Sequence, residues 1–136
     1  MQLRSTLAAL CVLSAPLSAQ DLGKGREDFL QYCAACHGHD ATGNGPMAPS
    51  PVLPPPDLTE LSDLNKGVFP ILDVIARIDG RDTLVAHGSP MPVYRDFFEG
   101  KGVTVQDETG ALIMTSQAII DLVIYLESIQ NQRTGR

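Results

Sequence analysis

Cys33-Ala34-Ala35-Cys36-His37 sets two thiols three positions apart, with an imidazole directly after the second. Four chemistries use such a set. A redox dithiol of the thioredoxin kind follows a strand in a βαβ unit, whereas this pair ends a segment that reads as helix. A zinc site would have to take Cys33, Cys36, His37 and His39, four ligands within seven residues, too crowded for a tetrahedron, and the chain has no second cysteine pair. A disulfide between Cys33 and Cys36 would be strained and would leave His37 unexplained. The fourth chemistry is covalent haem attachment, in which each thiol adds to one vinyl group. His37, four positions after Cys33, then lies on the same helical face and can reach the iron. The pattern favours this last reading.

The elements that must hold the motif can be read along the chain. Leu22 to Cys36 is expected to be helical, with Phe29, Leu30 and Cys33 on one side. From Gly38 to Asp57 runs a loop dense in turn formers, holding six of the ten prolines between Pro46 and Pro56. A loop of that length in a small domain is usually functional. Pro70 to Asp79 reads as a second helix: Pro70 suits the first turn, Ile71, Val74, Ile75 and Ile78 form an apolar stripe, and Gly80 ends it. His87 to Tyr94 is a second loop. Gly100 to Thr115 is weakly patterned as a short hairpin turning at Asp107 to Gly110. Ser116 caps a last helix through Ile129, with Ile119, Leu122, Val123 and Leu126 on its buried face.

Residues 1–19 are expected to be a signal peptide, and 20–136 a single domain. Arg4 supplies a basic start, Leu7 to Leu13 an apolar run, and Pro16, Ser18 and Ala19 a cleavage site. The alternatives are an uncleaved anchor or lipidation at Cys11. Cleavage removes Arg4 and no acid, leaving 9 basic against 16 acidic residues and a formal charge of −7. Such a balance argues against nucleic acid and against an anionic membrane surface. The low aromatic content, 5% with no Trp, means that something other than large side chains fills the middle of the core. Export agrees with the motif, because c-type haem is attached outside the cytoplasm.

Over nearly all of residues 20–136 the sequence resembles the class I c-type cytochromes, and it is most similar to bacterial single-haem members. The resemblance rests on the Cys-x-x-Cys-His run with Gly25 and Phe29 before it, on Leu122 and Tyr125 in the last helix, and on Pro56-Asp57-Leu58. It implies a small all-α fold, with the N- and C-terminal helices crossing at Gly25 and loops wrapped around one haem. It also implies that the Pro56 carbonyl accepts a hydrogen bond from His37. The chain differs from the mitochondrial type in being acidic and in having about 15 extra residues between Met91 and the last helix.

Met91, in Ser89-Pro90-Met91-Pro92, is expected to be the sixth iron ligand, 54 residues after His37. A thioether is a soft ligand, and the flanking prolines fix the backbone that presents it. Met114, Met47 and His87 are the alternatives, and His39 is expected to face solvent. Leu58, Val74, Ile75 and Ile78, with Val93 or Phe97, should line the porphyrin. Arg77 and Arg81 could pair with its propionates, while Asp57, Glu60 and Asp63 read as a charged face. These features suggest a periplasmic single-electron carrier with one haem c on Cys33 and Cys36, catalysing no bond chemistry by itself. Its redox partners are unidentified proteins, and it would meet a membrane only through a partner complex. The alternatives are a haem subunit of a periplasmic oxidoreductase and, less compatible with Met91, an open-site haem enzyme or gas sensor.

Overall fold

The structure is a computed structural model that describes residues 21–48, 54–82, 91–107 and 109–131. The expected signal peptide with Cys11, the prolines at 49 and 51, and His87 lie outside these residues. Element order is α1 (Leu22–Asp28), a π-helical segment (Phe29–Cys33), α2 (Ala34–His37), a 3-10 turn (Leu58–Glu60), α3 (Leu61–Leu64), α4 (Ile71–Ile78), β1 (Gly102–Gln106), β2 (Leu112–Ser116) and α5 (Gln117–Ser128). The fold is therefore mostly helical with one two-stranded sheet, which corrects the all-α expectation.

The first helical stretch starts where Asp21 caps it, its carboxylate accepting the Lys24 N–H at 3.0 Å. Asp28, 4% exposed, is paired with Lys24 Nζ at 2.7 Å, so the buried charge is compensated. The stretch is one turn of π-helix wider than the regular helix expected there. Such wide turns occur often at functional sites, and this one ends on Cys33.

The last helix crosses the first at Gly25. A Cβ there would lie 2.0 Å from the Asp121 carbonyl oxygen, so only a residue without one admits this approach. The crossing is tied by the Asp121 carboxylate, which accepts the Asp21 N–H at 3.2 Å and the Gln117 side-chain amide at 2.9 Å. Phe29 and Tyr125 stack beside it, ring centroids 5.4 Å apart. Ser116 caps α5 through the Ile119 N–H, and Ile119, Leu122, Val123 and Leu126 are buried, as the sequence predicts. In α4, Pro70 stands one position earlier than expected, at the cap, and Ile75 and Ile78 are buried.

The hairpin arises from local chemistry. Val103, Val105 and Ile113 alternate toward the core, and Thr115 is buried, while Leu112 and Met114 face out. Asp107 shapes the turn, its carboxylate accepting from the Thr109 and Ala111 N–H groups at 2.9 Å each. The strands pair antiparallel from Gly102 with Ser116 to Gln106 with Leu112. The hairpin is fastened to α4 through Asp79, 3% exposed, which takes Arg81 Nε at 2.9 Å and the Thr115 hydroxyl at 3.4 Å.

Candidate functional site

The Cys-x-x-Cys-His turn is held by the loop that follows it. An α-helix leaves its last carbonyls without partners. Here Gly38 N–H donates to Ala34 O at 2.9 Å, Met47 N–H to Ala35 O at 2.8 Å, Gly45 N–H to Cys36 O at 3.1 Å and Gly43 N–H to His37 O at 2.8 Å. Every carbonyl of α2 is thus satisfied, and the glycine-rich loop folds back over the helix end. Downstream, Leu58 N–H bonds Ala41 O at 2.8 Å, bringing Pro56-Asp57-Leu58 back toward His37. The C terminus secures this strap: Gln130 donates to Leu58 O at 2.7 Å and accepts the Ser62 N–H at 2.9 Å.

A cleft of about 750 Å³, open to solvent on one side, is lined by Phe29, Cys33, His37, Leu58, Leu61, Pro70, Asp73, Val74, Arg77, Ile78, Asp82, Met91, Leu122 and Leu126. It brings Cys33 and His37 of the attachment motif together with Met91, 54 residues further along, with apolar walls and charged groups only at Asp73, Arg77 and Asp82. Arg77 pairs with Asp82 at 3.1 Å. Met114 and Met47, the alternative thioethers, are 67% and 71% exposed and line no part of this cleft.

Several expected lining residues stand elsewhere. Ile75 is fully buried in the core behind the cleft. Val93 and Phe97 are exposed, Phe97 packing its ring against Tyr32 and Tyr94 instead. Arg81 points away, bound to Asp79 and to the Met114 carbonyl, because the hairpin meets that end of α4. The Cys36 thiol donates to the Met47 carbonyl at 3.4 Å and is outside the lining. Conversely, Phe29, Leu122 and Leu126 form a wall of the cleft in addition to the helix crossing. The signal for Leu126 was present, since it lies one helical turn beyond Leu122.

The electrostatics separate the competing chemistries. Burial pushes the Cys33 thiol up to about 12, with the Asp28 and Cys36 charges adding to the rise. A reactive redox cysteine has its pKa lowered, so Cys33 is the opposite of one, and the two cysteines are free thiols. Among the described residues no group of three His, Cys, Asp or Glu side chains could hold a metal ion. Burial lowers the His37 pKa and the Pro56 carbonyl partly offsets it, which keeps the ring neutral near pH 7. That carbonyl lies against the ring short of hydrogen-bond geometry, for the buried Nδ1 has no partner.

The family model described as Cytochrome c matches residues 23–130. The chain belongs to the cytochrome c family. Membership implies haem c and haem-based electron transfer. Comparison with curated proteins and with solved structures finds no match. The residues of this cytochrome fit the prosthetic group: the cleft is apolar where a porphyrin would lie, a thiol faces it, and a buried neutral imidazole stands in its wall. The Cys36 thiol, three positions after Cys33, is turned to the Met47 carbonyl outside the cleft.

Proposed function

We propose that this cytochrome is a single-electron carrier, exported to the periplasm, with one haem c fixed through Cys33 and Cys36 and ligated by His37 and Met91. The observation that carries the reading is the convergence of Cys33, His37 and Met91 on one apolar cleft. Bound there, haem supplies a one-electron couple at its iron. Cys33 and Cys36 would hold the group by thioethers, each S–H adding across one vinyl group with no atom lost. His37, neutral through burial, offers a ring nitrogen lone pair from a turn whose carbonyls are all bonded, so it moves little between oxidation states. Met91, which lines the same cleft, would offer its sulfur as the second protein ligand. Leu58, Val74, Ile78, Leu122 and Leu126 exclude water, and a dry pocket with His/Met ligation favours the reduced state. Arg77, which lines the cleft and pairs with Asp82, would meet the propionates.

The attachment claim has a direct test. Colour should remain with the polypeptide through denaturing electrophoresis, acid–acetone should extract none of it, and the mass should exceed that of the mature apoprotein by one haem. Extractable haem would refute the covalent reading.

The partner follows from charge. A mature chain of formal charge −7 should meet a basic patch on its redox partner, with long-range attraction raising the encounter rate. At physiological salt the screening length is about 8 Å. The second-order electron-transfer rate measured by stopped flow should therefore fall as salt rises. A flat or rising rate would instead favour docking through apolar surface, or permanent residence as a subunit of a larger oxidoreductase.

A further inference from the structure

Tyr94, three residues after Met91, joins three parts of the cleft. Its hydroxyl donates to the Tyr32 carbonyl at 2.9 Å, across 62 positions of sequence. Tyr32 lies in the π-helical segment, directly before Cys33. The Tyr94 N–H donates to the Ile78 carbonyl at 2.9 Å, and Ile78 is the last residue of α4 and part of the cleft wall. Its ring packs edge-on to Tyr32, with centroids 6.5 Å apart, and against Phe98 at 6.0 Å. One residue earlier, Val93 sits over Gly80, where a Cβ would come within 2.5 Å of its methyl group. The segment after Met91 is thus fastened at both ends of a short lever, by side chain to the cysteine-bearing turn and by backbone to α4.

We propose that Tyr94 is a positioning residue for Met91: its hydrogen bond to the Tyr32 carbonyl holds the 91–94 segment, and with it Met91, in the wall of the cleft. The inference rests on Met91 as the distal ligand. Tyr94 does not line the cleft, so it acts only through the chain that joins it to Met91. Tyr94→Phe keeps the ring contacts and removes one partly buried hydrogen bond. Losing a bond of that kind shifts an open–closed equilibrium by about five-fold.

The test uses the purified ferric holoprotein and added cyanide, which can bind only when the distal position opens. Tyr94→Phe should bind cyanide about five-fold faster than the parent and should weaken the long-wavelength sulfur-to-iron absorption band. Ile120→Val, a core change of comparable stability cost at a side chain outside the cleft lining, should leave both unchanged. Exchange of the Tyr94 amide hydrogen should quicken in Tyr94→Phe by a similar factor, a readout independent of the iron. If Tyr94→Phe behaves like the parent, or if Ile120→Val accelerates cyanide equally, the clasp is overturned while Met91 ligation stands. If Met91→Ala binds cyanide no faster than the parent, Met91 ligation fails and the clasp falls with it.

Discussion

Met91→Ala should lower the reduction potential on the order of 0.2 V, a fraction of the roughly 0.8 V over which axial ligands move haem potentials. The direction follows from the ligand: a soft thioether favours ferrous iron, and water in its place does not. Cyanide should bind the ferric variant much faster, because no sulfur has to leave first. The fold should persist. Met91 is only partly buried, so truncation should cost no more than about 2 kcal/mol, the low end of the range for methionine. Met114→Ala is the control, since that side chain is 67% exposed on the hairpin; its potential and spectrum should match the parent. Equal cyanide rates in the Met91 variant and the parent would exclude Met91 as ligand.

Gly25→Ala should be strongly damaging. The added Cβ would lie 2.0 Å from the Asp121 carbonyl oxygen and 2.5 Å from its carbon. Both are backbone atoms and cannot swing aside, so α1 and α5 must separate and loosen the packing of Phe29, Leu122 and Tyr125. We expect a loss of about 3 kcal/mol, the upper range for overpacking, and a thermal midpoint lower by about 10 °C. Gly100→Ala, where an added Cβ meets nothing within 4 Å, should stay within about 0.5 kcal/mol of the parent. If both alanine variants melt with the parent, the close crossing at Gly25 is wrong.

What the sequence disclosed was what local rules govern. The Ile71, Val74, Ile75 and Ile78 stripe, the Ser116 cap and the Asp107 turn each depend on neighbours a few residues away, and each formed as expected. The hairpin was visible in Val103-Thr104-Val105, yet the resemblance to an all-helical family outweighed it in the fold assignment. Leu122 was legible as a buried position from its helical spacing, but Gly25, Tyr125 and the crossing itself were legible only through that resemblance, because a crossing between chain ends leaves no periodic trace.

The directions of individual side chains were not legible. Arg81 was expected at the cleft, but its choice depends on Asp79 and on a hairpin that approaches from 33 positions away. Val93 and Phe97 share the same origin of error: the aromatic rings after Met91, Tyr94, Phe97 and Phe98, gather on Tyr32 instead of on the cleft, and Val93 is drawn over Gly80. The π-helical widening at Phe29–Cys33 has no composition signal at all. Even so, Cys33, His37 and Met91 were named from residue type and spacing and Leu58 through the resemblance, and the fold brings those four to one cleft.

The bond between Asp21 and Asp121 joins positions 100 residues apart. Closing so long a loop costs chain entropy that is offset only once α5 has docked, and contacts of this range slow folding. Until the final helix has emerged from synthesis, α1 has nothing to pack on. Truncation ahead of Asp121 should therefore yield an unfolded chain in place of a smaller stable core. The order also sets a time window: before closure, Cys33 is open to solvent on a mobile chain, and after closure it is walled in by Phe29, Leu122 and Leu126.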